Sequence, residues 1–96
     1  MALAAPPAMT EIHAVRNGLA SVPQVEQVFI SREPGGYGVL VVLPDTNAEA
    51  QRAVFDREAE IIDAFPATKF DFNLVFRCDR PLNEILKPKG MQLFAR

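Results

Sequence analysis

Residues 25–43 read VEQVFISREPGGYGVLVVL. Two apolar runs, Val25–Ile30 and Tyr37–Leu43, flank a short connection that holds Pro34, Gly35 and Gly36. Val, Ile, Phe and Tyr suit a pleated surface, while Pro and Gly supply the fixed and positive φ values that a reversal needs. The stretch therefore predicts a β-hairpin. By the period-two rule, Val28 and Ile30 share one face of its first strand, and Phe29 and Ser31 share the other. The second strand is apolar on both faces, with Tyr37, Val39, Val41 and Leu43 against Leu40 and Val42. A strand of that kind belongs in the middle of a sheet, covered on at least part of each face.

Downstream, Thr46 and Glu49 form a capping-box signature for a helix that runs to about Phe65, where Pro66 stops it. At 100° per residue, Glu49, Arg52, Asp56, Glu60 and Asp63 gather on a solvent face, with Ala50, Val54, Ile61 and Phe65 opposite. Arg57 and Glu58 intrude on the apolar sector, and a carboxylate there must be paired, hydrogen-bonded or at a rim. Lys69–Cys78, KFDFNLVFRC, alternates cleanly: Phe70, Phe72, Leu74 and Phe76 on one face, Asp71, Asn73, Val75 and Arg77 on the other. It predicts a strand with one buried face. A helix between the second and third strands makes a right-handed parallel crossover. The sheet is then mixed.

Upstream, Thr10 can cap a helix carrying Ile12, Val15 and Leu19, weakened at Asn17-Gly18 and closed by Pro23. His13 reads as a surface histidine. Residues 1–9, Ala/Pro-rich, read as a disordered tail, and their apolar run is too broken and lacks the basic start of a signal peptide. Toward the other end, Pro81 opens a short helix, Leu82–Lys87, capped from Asp79 or Arg80, and Met91–Ala95 is a final strand or an extended tail. The prediction is one α+β domain over residues 10–96. It has a mixed three-stranded or four-stranded sheet, element order α-β-β-α-β-α, and helices mainly on one face.

The chain of 96 residues carries 49% apolar and 23% charged residues and a net charge of −2, ordinary globular values. That charge, with a pI near 5.3, gives no reason to expect nucleic acid as a partner. No apolar run approaches the ~20 residues that cross a bilayer, so no membrane partner is expected and cytoplasm is the default location. Cys78 has no second cysteine and His13 is the only histidine, which leaves no zinc set. Cys78 reads as a small core residue. Neither Ser21 nor Ser31 lies in a nucleophile elbow, and Gly35–Gly38 does not open a helix as a phosphate cradle does.

The order helix, hairpin, helix, strand, short helix resembles a minimal nucleotidyltransferase-like domain, in a degenerate form. Such domains carry a Phe-Gly-Ser-Arg run at the end of the first strand, where this chain has Phe29, Ile30, Ser31 and Arg32. They place Asp-x-Asp at the start of the second strand, where Gly36, Tyr37 and Gly38 stand, and a further aspartate on the third, where Asp71 falls. Leu86–Phe94 also looks like the end of small members, a glycine preceding a leucine-aromatic pair. The resemblance implies a catalytically silent copy. Paired aspartates hold the cations that neutralise a transferring phosphoryl group, and glycines cannot. No catalytic residue, metal or cofactor is expected.

The leading expectation is thus a non-catalytic interaction or scaffold module working in a homo- or hetero-oligomer, by self-association or with a protein partner. A generous set of phenylalanines, with Phe29, Phe55 or Phe94 surplus to the core, points the same way. The alternatives are a divergent nucleotide-binding or nucleotidyl-transferring enzyme and a ferredoxin-like regulatory dimerisation domain. Ser31, Arg32, Glu33, Tyr37, Asp45, Glu58 and Asp71 are the candidate ligand or interaction residues.

Overall fold

The computed structural model describes residues 7–96, with side chains from Glu11 onward. Seven elements follow in order: α1 (Pro7–Ala20), β1 (Gln27–Glu33), β2 (Gly36–Leu43), α2 (Ala48–Ala64), β3 (Lys69–Phe76), α3 (Leu82–Ile85) and β4 (Met91–Ala95). The sheet order is β3-β2-β1-β4. β1 is antiparallel to β2 and to β4, and β2 is parallel to β3. The α+β class, the mixed sheet and the central β2 are as the sequence predicts.

Apolar side chains on one sheet face bury against α1 and α2. Val28, Val39, Val41 and Leu43 from the strands meet Val15, Leu19, Val54 and Ile61 from the helices. Burial of such side chains is worth ~1.5–3 kcal/mol each, so this layer holds the domain together. A β-carbon on Gly18 would lie 3.3 Å from Ile61 Cδ1, so the small residue lets α1 approach α2 closely. Glu11 accepts a hydrogen bond from Thr68, which follows α2, so the two helices run antiparallel. At the hairpin, Glu33 pairs with Gly36, leaving Pro34-Gly35 as the turn. Pro34 fixes one φ and Gly35 takes the other at +78°, the pattern of a type II turn.

Several boundaries differ from the sequence reading. α1 begins at Pro7, so Thr10 lies inside the helix and is not its cap, and residues 7–9 of the expected disordered tail are helical; residues 1–6 fall outside the described residues. Asn47, not Thr46, caps α2, its side chain accepting from Ala50 N at 2.9 Å. Neither Asp79 nor Arg80 caps α3, which is preceded by Pro81 and ends at Ile85. β3 stops at Phe76 because Cys78 and Asp79 take φ values of 50° and 68°. Cys78 is exposed and so is not a core residue.

β4 closes the edge beside β1, although β3 lies at the far edge. The chain must cross the whole sheet between them, and it does so over the face that α1 and α2 leave open. Gly90, at φ +81°, turns it into β4, since a β-carbon there would lie 2.1 Å from Ile30 O. Arg96 then returns to the end of α1, donating to the carbonyls of Val22 (2.8 Å), Pro23 (2.9 Å) and Val25 (2.7 Å), and to that of Ala20. Carbonyls at a helix end need donors, and one guanidinium supplies several. Arg96→Ala is expected to cost about 1–2 kcal/mol. Thermal unfolding should show it as a fall in Tm of roughly 5–15 °C.

Candidate functional site

The open face of the sheet carries Phe29, Ser31 and Glu33 from β1, Gly36, Gly38, Leu40 and Val42 from β2, and Asp71, Asn73 and Val75 from β3. Strand register sets Ser31, Gly38 and Asp71 in one row across three strands. Over this face lies the segment Leu86–Lys89, which with the strands encloses a groove of about 450 Å³. Its floor is apolar at Phe29, Leu40 and Val75, and Ser31, Asn73, Lys87 and Lys89 supply polar groups. Sequence reasoning missed the strap, because nothing local in Pro88 or Lys89 tells which face they cross.

The sequence-predicted residues divide into separate places. Ser31, Glu33 and Asp71 share the open face. Arg32 and Tyr37 lie on the helix side at the hairpin end, with the Arg32 guanidinium 5.8 Å from the Tyr37 ring. Tyr37 is only 6% exposed and stacks on Phe70, so its ring belongs to the core layer and not to the open-face row. Asp45 stands beyond the opposite end of β2, where its Oδ1 accepts from Asn47 N at 3.0 Å and shapes the entry to α2. Glu58 lies in the helix layer, across the sheet from the groove. It is 8% exposed, and Oε2 has no hydrogen-bond partner among the described residues. Burial pushes its carboxyl up to about 7. Arg57, its neighbour in sequence, points outward to Glu60 at 3.2 Å.

The two glycines that stand at the Asp-x-Asp place are held by packing. A β-carbon on Gly36 would sit 1.7 Å from Lys69 O, and one on Gly38 would sit 2.5 Å from Glu33 Oε2. Main chain cannot yield to the first, whereas the Glu33 side chain can turn from the second. Among the described residues, no three His, Cys, Asp or Glu side chains gather as a metal set.

A second feature is the outer edge of β3. Lys69 N donates to Gly35 O and Arg77 N donates to Leu43 O, so the odd-numbered residues of β3 pair inward with β2. The N–H and C=O groups of Phe70, Phe72, Leu74 and Phe76 consequently point out of the sheet, with no strand among the described residues to receive them. This edge is eight residues long, contains no proline, and pairs with β2 without a break in register. β4, the other edge, has five residues and a register shift opposite Val28/Phe29, devices that blunt an edge. Above the free edge stands α2. Its turn order, with Ile61 against Gly18 of α1, puts Phe55 and Ile62 on the flank away from α1; they are 52% and 46% exposed. Free backbone and exposed apolar side chains thus lie side by side. The seven-residue spacing of Phe55 and Ile62 was visible in the sequence, but their proximity to β3 was not.

Just beyond the strand ends, Arg77 and Glu26 form an ion pair, Nε to Oε1 at 2.6 Å, with the second nitrogen 3.1 Å from Oε2. It ties β3 to the start of β1. Among the described residues no helix is long and apolar enough to cross a membrane. No protein-family model matches the chain, and no curated protein or solved structure shows significant similarity to it.

Proposed function

We propose that this chain is a non-catalytic interaction module, a catalytically silent nucleotidyltransferase-like subunit that works in an oligomer through the β3 edge and the adjoining flank of α2. One observation carries the reading: an unblunted eight-residue edge whose main-chain donors and acceptors are free, overhung by exposed Phe55 and Ile62. Proteins cover or blunt edges of this kind because they recruit another strand, and a partner is the cover that leaves the sequence as it is. The silent half of the reading is supported by Gly36 and Gly38. Asp71 is the only acid in the Ser31–Gly38–Asp71 row, Glu33 leans against Gly38 from the next position, and no third ligand joins them among the described residues, a poor set for gripping cations against a triphosphate.

Sedimentation velocity over a concentration series tests the association. The wild-type chain is expected to shift from monomer toward a larger species as concentration rises. Phe55→Lys/Ile62→Lys removes the apolar flank at positions already half in solvent. It should leave Tm nearly unchanged and weaken association by at least about tenfold. A wild-type monomer at every concentration, or equal association in the double variant, would contradict the reading.

A further inference from the structure

We infer that the oligomer is a symmetric dimer in which β3 pairs antiparallel with β3 of a second copy, centred on Leu74. This rests on the interaction reading above and adds the partner and the register. Residues with outward main chain are even-numbered, so a two-fold pairing must bring even residues opposite even residues. The open-face charges then choose among the possible registers. Centring on Asn73 sets Lys69 opposite Arg77, two like charges. Centring on Val75 sets Phe72 opposite Cys78, where the left-handed residues have already turned the chain away, and so shortens the ladder. Centring on Phe72 sets Asp71 opposite Asn73 and gains no opposite-charge pair. Centring on Leu74 sets Asp71 opposite Arg77 twice, once on each side of the axis, and opposes no like charges. Directly opposed charges of opposite sign favour a pairing and like charges disfavour it.

The same register suits the other face. Phe72 lies opposite Phe76 and Leu74 opposite itself, all half-buried in the single copy and covered further in the pair. Phe72, Leu74 and Phe76 would exchange about six main-chain hydrogen bonds with their counterparts. Arg77 holds Glu26 with Nε and one Nη and donates the other Nη to Arg80 O, so the second copy's Asp71 adds a charge contact beside an already bonded guanidinium. The left-handed residues Cys78 and Asp79 turn the chain away and end the overlap. Each copy carries a net charge of only −2, so overall repulsion opposes the dimer weakly.

Oxidative cross-linking reads the register. In a Cys78→Ser background, Leu74→Cys places two thiols on residues with α-carbons roughly 5.5 Å apart, within disulfide reach. Asn73→Cys places them diagonally, roughly 7–8 Å apart, beyond it. Covalent dimer is expected from Leu74→Cys within the time that Asn73→Cys gives little, both chains melting cooperatively. Dominant linking through Asn73→Cys would overturn the register while leaving the interaction reading standing. So would a sedimenting dimer that neither variant traps. As a second variant that keeps the core intact, Asp71→Lys should weaken association by about tenfold. Unchanged association in Asp71→Lys would also overturn the register, and a wild-type chain that never associates would remove both readings together.

Discussion

Replacing Gly36 by alanine is expected to destabilise the domain by about 3 kcal/mol or more, a large share of the roughly 5–10 kcal/mol that holds a domain of this size. The cause is steric. The added carbon would sit 1.7 Å from Lys69 O and 2.8 Å from Lys69 N, at the place where β3 first pairs with β2. Those atoms are main chain inside a hydrogen-bonded ladder, so relief requires moving a strand. Gly38→Ala is the contrast. Its carbon would meet the end of the Glu33 side chain at 2.5 Å and Ser31 Oγ at 3.1 Å, and Glu33 is free to rotate into solvent. A loss near 1 kcal/mol or below is expected there. Chemical denaturation of the two variants measures both. The difference bears on the proposed function, because Gly36→Asp, which would place an acid there, meets the same obstruction. The packing of β2 on β3 thus bars an acidic side chain from position 36. A Gly36→Ala domain as stable as the wild type would show that the hairpin end is looser than this account allows.

Glu58→Met is expected to stabilise the domain at pH 8 by about 1–3 kcal/mol and to flatten its stability between pH 5 and 8. The carboxyl is raised from 4.5 to about 7 by burial, so the folded state prefers its protonated form. That preference is fully present below the unfolded value near 4.5 and is lost as pH rises through 7. Such a shift corresponds to at most about 3 kcal/mol, and relaxation around the charged carboxylate brings the effect closer to 1–2 kcal/mol. Methionine has the length and flexibility to fill the site without an orphaned oxygen. Thermal melts of both chains at pH 5 and pH 8 check it. The wild type should lose Tm on going to pH 8 and the variant should not. An equal response in the two would place the titrating group elsewhere.

The frame was legible where local pattern and burial coincide. Leu40 and Val42 opposite Tyr37, Val39 and Val41 marked β2 as central, and the alternation from Phe70 to Phe76 marked β3. The burial of Tyr37 was legible too, since the alternation put it on the face of Val39 and Val41; its proximity to the glycines obscured that. Long-range features left no such trace. The crossing of Leu86–Lys89 over the open face, the pairing of β4 with β1, and the reach of Arg96 to α1 depend on the far edge of the sheet being free. Helix entry was offset for a local reason: Asn47 outcompetes Thr46 once Asp45 holds the Asn47 amide. The interaction surface was partly visible. Phe55 and Ile62 stood on the flank of the helical wheel, and only the sheet order shows which edge they overhang.

Amide hydrogen exchange at Phe72 and Leu74, followed against protein concentration, reaches the centre of the account. These N–H groups have no acceptor among the described residues, so they should exchange quickly in dilute solution and become protected as the concentration rises. The amides of Asp71 and Asn73, paired inward with β2, should stay protected throughout. Fast exchange at Phe72 and Leu74 at every concentration would mean that no second strand docks on β3, and the proposed role of this edge would fall.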